Sequence, residues 1–271
     1  MSRSRVNLGD QELAYLSSPG TGRPVILVHG NSSSADTWTR VLDGPLGQRF
    51  RCLALDLPGH GESAPAPSQS AYSLPGYASV LADFADSLAA ADAVFVGWSL
   101  GGHIVLEAAP SLPGAAGFVI FGTPPTGNAA QMAEAFLPNP AMNIGFSPEV
   151  SEDEARAYAA SFTAPGSRLP LDDFVADIAR TDGAARAGLL ASIGAGDFTD
   201  ETRIVAELDR PLAILHGAGE QLVNLAFIEG LPMPTLWRGR VQVIPDAGHA
   251  AHQEAPAAFT DLLERFIADV G

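Results

Sequence analysis

Three residues whose types act together in nucleophilic catalysis stand at the ends of separate apolar runs. They are Ser99 in FVGWSLGGH (95–103), Glu220 in LAILHGAGEQLV (212–223) and His249 in VQVIPDAGH (241–249). A serine in such a turn has a plain explanation, because small residues let a helix pack closely on a strand. G-x-S-x-G after an apolar strand and before a helix has a sharper one: a serine at a strained strand-to-helix turn presents its hydroxyl as a nucleophile. Gly97 and Gly101 flank it where a Cβ would crowd the bend. The helix opening at Leu100 turns its positive dipole end toward the same place.

A serine hydroxyl needs a base. Of the six histidines, His249 follows the last apolar run on a loop behind Gly248, which in an α/β sheet emerges at the edge that carries Ser99. His252, three residues on, is the runner-up for the base and is read rather as a structural partner. His29 and His60 sit in glycine turns suited to a side-chain-to-backbone bond, while His103 and His216 are read as packing residues. The base in turn needs a carboxylate to fix its tautomer. Glu220 lies just past a strand's carboxyl end, whereas Asp209 precedes that strand and Asp246 is read as a turn residue. The oxyanion of acyl transfer needs two donors, expected from the backbone N–H groups of Leu100 and of Asn31 in HGNSSS. Trp98 and Gly30, beside the serine and in that turn, are candidates for the substrate pocket.

Positioning these residues requires a sheet. VILVHG, RCLALDLPG, AVFVGWS, GFVIFGTPP, LAILHG and VQVIPDAGH are continuous apolar runs without polar alternation, as in parallel strands covered on both faces. Helical patterns lie between them, notably 75–91 and 255–270. The alternation predicts an α/β fold with a mostly parallel central sheet flanked by helices, and RVNL with QELAYLS an antiparallel edge hairpin. Between 126 and 205 the alternation stops and the chain turns alanine-rich and helical. The expected organisation is a core of 1–125 and 206–271 with a helical cap, 126–205, inserted between two core strands over their carboxyl ends, where ligands bind in open α/β sheets.

Composition narrows the chemistry. The formal net charge is −16 and all fifteen basic residues are arginine, so nucleic acid is not an expected partner and lysine Schiff-base catalysis is excluded. Neither HExxH nor CxxC occurs, and no metal or cofactor is expected. The single cysteine, Cys52, lies in an apolar run and reads as a buried thiol. No apolar run is long enough for a membrane span and the start lacks a secretory pattern, so a cytoplasmic protein is expected, with a monomer the simplest state.

VHGN, LDLPGHGES, GWSLGGH, an acid after a strand and DAGHAAHQEAP occur in the order of the α/β-hydrolases, which this chain resembles throughout. HGNSSS, DLPGHG, GWSLGGHI, GTPP, ARTDG and AGHA followed by EAP bring it nearest to the N-acyl-homoserine lactone hydrolases of that fold. Glu220, where many α/β-hydrolases have aspartate, agrees with that group. The resemblance implies metal-independent cleavage of a small neutral ester or lactone bearing an acyl chain, through a Ser99–His249–Glu220 triad and an acyl-enzyme. Two alternatives share these residues: a carboxylesterase of broad specificity, and a non-catalytic receptor built on the same scaffold.

Overall fold

The structure is a computed structural model describing residues 1–271. Its centre is one eight-stranded sheet formed by β1 (Ser2–Leu8), β2 (Gln11–Ser17), β3 (Gly22–Val28), β4 (Phe50–Leu55), β5 (Val94–Trp98), β6 (Gly117–Phe121), β7 (Leu212–Gly217) and β8 (Gln242–Ile244). The strand order is β1-β2-β4-β3-β5-β6-β7-β8. β1 and β2 form the antiparallel edge hairpin, β2 runs antiparallel to β4, and every later pairing is parallel. All residues of β5, β6 and β7 are buried, which explains why their sequences lack polar alternation. Helices Leu74–Ser87, Leu100–Ala108 and Pro256–Asp269 bury apolar faces against the sheet.

The order reverses at β3, whose neighbours are β4 on one side and β5 on the other. Chains leaving β3 and β5 at their carboxyl ends therefore diverge and leave a crevice between them. Asn31 follows β3 there and Ser99 follows β5. The loops after β7 and β8 bring Glu220 and His249 to the same edge: Ala218 N–H bonds to the Ile244 carbonyl at 2.9 Å and Gly219 N–H to the Ala247 carbonyl at 2.8 Å.

Between β6 and β7 the chain forms helices Ala129–Ala135, Glu152–Ser161, Asp172–Arg180, Gly183–Ala195 and Glu201–Glu207. Their starts are written locally. Ser151 and Glu154 make a reciprocal capping box, and Asn128, Asp182 and Asp200 accept first-turn N–H groups through their side chains. The cap at Asp182 divides residues 171–193, continuous in helical pattern, into two helices. No helix is long and apolar enough to cross a membrane.

Candidate active site

Ser99 sits between β5 and the helix Leu100–Ala108 with φ 54° and ψ −119°, a backbone conformation that non-glycine residues adopt only when the surroundings enforce it. Enforcement comes from close packing on both sides. A Cβ on Gly97 would lie 2.3 Å from the Gly101 carbonyl oxygen, and one on Gly101 would lie 2.3 Å from that of Val28. Ser99 N–H donates to the Phe121 carbonyl at 2.9 Å, and the Thr123 hydroxyl donates to the Ser99 carbonyl at 2.8 Å. The turn is tied to β6 through both backbone groups.

His249 lies 2% exposed, its Nδ1 donating to Glu220 Oε2 at 2.9 Å. The other carboxylate oxygen, Oε1, accepts the Leu222 N–H at 2.8 Å. Burial works to raise the Glu220 carboxyl, but the charge and hydrogen bond of His249, the Leu222 N–H and His216 together outweigh it and hold the group below the usual glutamate range. Glu220 is thus kept ionised as an acceptor. The distal nitrogen of His249, Nε2, is buried without a hydrogen-bond partner and makes none with the Ser99 hydroxyl. Such bonds are often long before substrate binds.

Three further groups place the His249 ring. Trp98 Nε1 donates to the His249 carbonyl at 2.9 Å. The Phe162 ring stacks at 6.0 Å between centroids. Gly122, at φ 61°, passes so close that a Cβ there would lie 2.7 Å from His249 Cε1. Neither Phe162 nor Gly122 stood out in the sequence. The glycine of GTPP was visible, but what it clears is a ring 127 positions later in the chain, which local pattern does not reveal.

Ser99, Leu100, Asn31 and His249 line one cavity of about 330 Å³, most of whose 19 lining residues are hydrophobic. The backbone N–H groups of Asn31 and Leu100 engage no carbonyl; that of Leu100 belongs to a helix first turn, which has no intrahelical acceptor. The Asn31 side chain donates from Nδ2 to the Gly145 carbonyl at 2.6 Å, joining the turn after β3 to the helical segment. That segment contributes much of the wall, including Phe136, Phe146, Tyr158 and Ile193.

Trp98 and Gly30 are not lining residues. The Trp98 side chain, 1% exposed, packs behind His249 against Phe162, Phe174 and His252. It lies on the sheet side because alternate residues of a strand face opposite ways and the serine alone turns out of the bend. Gly30 is buried beneath it, with a Cβ there meeting Trp98 Cε3 at 3.1 Å. His103 also departs from its packing role: it lines the cavity, paired with Glu201. The bond partner comes from 98 residues away, so the helix position alone gave no signal.

His29, His60 and His252 make structural hydrogen bonds. His29 Nδ1 donates to the Gly30 carbonyl at 2.8 Å while its Nε2 accepts the Leu57 N–H at 3.0 Å. His60 Nδ1 donates to the Pro58 carbonyl at 3.0 Å, and His252 Nε2 bonds the Thr37 hydroxyl at 2.7 Å. Cys52 is buried and free, and burial pushes its thiol up to about 12. Asp246 holds a positive-φ turn position at 56°. No group of three or more His, Cys, Asp or Glu side chains has a metal-ligating arrangement.

Residues 25–262 match the Alpha/beta hydrolase family, which spans most of the chain. The chain belongs to that family. Among solved structures, this α/β-hydrolase is similar to the N-acyl homoserine lactonase AidH complexed with N-butanoyl homoserine: 36% identity, TM-score 0.94, covering 100% of this chain and 97% of that one. A mutant of AidH complexed with N-hexanoyl homoserine lactone superposes with TM-score 0.95 at the same identity, covering 100% of this chain and 98% of the other. The pimeloyl-[acyl-carrier protein] methyl ester esterase of Methylococcus capsulatus is 28% identical over 94% of this chain and 98% of its own length. The dihydrolipoyllysine-residue acetyltransferase component of the acetoin cleaving system of Cupriavidus necator is 28% identical over 93% of this chain, which spans 66% of that relative.

Proposed function

We propose that this α/β-hydrolase opens the lactone ring of N-acyl homoserine lactones by serine catalysis without a metal. The observation that carries the reading is the His249–Glu220 pair, whose unpartnered Nε2 shares one apolar cavity with Ser99. Ser99 Oγ attacks the ring carbonyl carbon while His249 Nε2 takes the hydroxyl proton. The N–H groups of Asn31 and Leu100 receive the charge that develops on the carbonyl oxygen, each worth on the order of 10²–10³ in rate. The ring C–O bond breaks, His249 returns the proton to the leaving ring oxygen, and the opened chain stays esterified to Ser99. Water, deprotonated by His249, then releases the N-acyl homoserine carboxylate and restores the hydroxyl. Glu220 orients the ring and stabilises the imidazolium throughout.

Residues 126–205 act as the cap, supplying the apolar wall for an acyl chain. The cavity volume lies at the lower end of small-molecule sites, which run from about 300 Å³ upward, and suits a neutral lactone with a short to medium chain. Similarity to AidH, at 36% identity across the whole chain, supports the lactone over other esters. The similarity to the pimeloyl methyl ester esterase supports a second reading, a carboxylesterase acting on open-chain esters.

Comparing kcat/KM for N-hexanoyl homoserine lactone and 4-nitrophenyl hexanoate separates them. The lactone is expected to be the better substrate, with both activities lost in Ser99→Ala. Negligible lactone turnover beside efficient ester cleavage selects the carboxylesterase, and an active Ser99→Ala refutes the nucleophile.

A further inference from the structure

The cavity holds a second imidazole–carboxylate pair. His103 lies four residues beyond Ser99, about 6 Å along the helix axis, with Nδ1 2.8 Å from Glu201 Oε1 and 3.0 Å from Oε2. The Glu201 side chain is 1% exposed, and its Oε2 also accepts the Thr126 N–H at 2.9 Å. Glu201 N–H returns a bond to the Thr126 carbonyl at 3.1 Å, so the carboxylate is fixed from both its backbone and its head. A neutral imidazole has one N–H. Given to Glu201, it leaves Nε2 as a lone pair with no hydrogen-bond partner in the protein, on a side chain 15% exposed that lines the cavity. Its neighbour on the wall is apolar, the Phe136 ring at 6.3 Å. An oriented acceptor set in an apolar wall discriminates by hydrogen bonding, because a ligand lacking the donor leaves it desolvated and unpaired.

We propose that His103 Nε2 accepts the amide N–H of the substrate's acyl group, so that the site selects lactones bearing a secondary amide over plain esters and unsubstituted lactones. His103 is then a specificity-determining residue and Glu201 the positioning residue that sets its tautomer. This rests on the serine-lactonase reading. In such a substrate the amide nitrogen lies about 2.5 Å from the carbonyl carbon under attack, close enough that a hydrogen bond of about 3 Å spans most of the step from Ser99 to His103.

The test compares ring opening, followed by chromatography, of N-hexanoyl homoserine lactone and its O-acyl counterpart, in which an ester oxygen replaces the amide N–H. The wild-type enzyme is expected to favour the amide by about 10- to 50-fold in kcat/KM, the value of one well-placed buried hydrogen bond. Glu201→Gln is the deciding variant. The new side-chain oxygen can keep the Thr126 N–H while its NH₂ donates to His103 Nδ1, which moves the ring proton to Nε2 and turns the acceptor into a donor of unchanged shape. The preference is expected to fall to about threefold or less, as it should in His103→Leu, whose folding is checked by thermal unfolding. Because both lactones are read on the same protein, a general loss of activity leaves the ratio untouched. A wild-type enzyme indifferent to the two lactones, or a Glu201→Gln enzyme with full preference, overturns the proposal. Wild type opening neither lactone, or Ser99→Ala opening both, instead sinks the serine-lactonase reading beneath it.

Discussion

The indole N–H of Trp98 donates to the backbone carbonyl of His249 at 2.9 Å, so the residue before the strained serine holds the backbone of a histidine that lines the same cavity as that serine. The turn after β5 and the loop after β8 are thereby locked in one unit, although 151 residues of chain separate them.

Trp98→Phe keeps the ring packing against Phe162 and Phe174 but removes that donor. The His249 carbonyl is left unpaired, at a cost of about 1–3 kcal/mol. Steady-state kinetics are expected to show kcat lowered by about tenfold with KM nearly unchanged, since in the proposed mechanism the lost contact orients the base and touches no substrate. An unchanged kcat removes the positioning role from Trp98.

Glu220→Gln replaces the buried acceptor of His249 Nδ1 with a group whose amide can donate to it. The ring then favours the wrong tautomer and its imidazolium loses a counter-charge. A fall in kcat on the order of 10²–10⁴ is expected, approaching that of Ser99→Ala. A loss smaller than tenfold is incompatible with Glu220 as the third member of the triad.

Two glycine substitutions should move stability in opposite directions. Gly101→Ala places a methyl 2.3 Å from the Val28 carbonyl oxygen, where only backbone can give way. It is expected to cost several kcal/mol, about 3 or more, or to prevent folding. Gly194→Ala lies near the end of the helix Gly183–Ala195 with nothing within 4 Å of the new methyl, and should stabilise by about 0.5–1 kcal/mol. Urea unfolding of the two variants beside wild type reads both signs.

Acid should unfold the protein through its buried histidines. Burial pushes His29 down to about 4, and His60 and His252 to about 3. Because these folded values lie below the unfolded one near 6.5, the unfolded chain binds protons first, and stability falls as pH drops below about 6.5. Asp177 opposes this. Burial chiefly raises its carboxyl to about 6, so the folded state takes up that proton first and gains stability as pH falls from about 6 toward 4. Asp177→Asn is therefore expected to steepen the fall in melting temperature between pH 6 and 4. A shallower profile than wild type contradicts the sign.

Much of the candidate site's frame could be read locally because its requirements are local. A strand covered on both faces shows as an unbroken apolar run, as in AVFVGWS, and a serine forced into a left-handed turn shows as the glycines two positions to either side. The pairing of Glu220 with His249 followed from topology, since residues just past the carboxyl ends of parallel strands emerge at one edge. The helical character of 126–205 was likewise legible from its alanine-rich pattern; where its helices begin was shown by caps such as the Ser151–Glu154 box.

What the sequence by itself determined is thus the set of elements and the residues standing at their ends, because propensity, turn chemistry and strand burial act over a few neighbours. Only the tertiary structure decided which side chains face the cavity. Trp98, adjacent to Ser99, turns behind His249, while His103, on a helix that otherwise packs, faces inward and meets Glu201. Those outcomes depend on how helices from distant parts of the chain settle over the sheet's edge, and on burial that requires every polar atom to find a partner among residues far away in sequence.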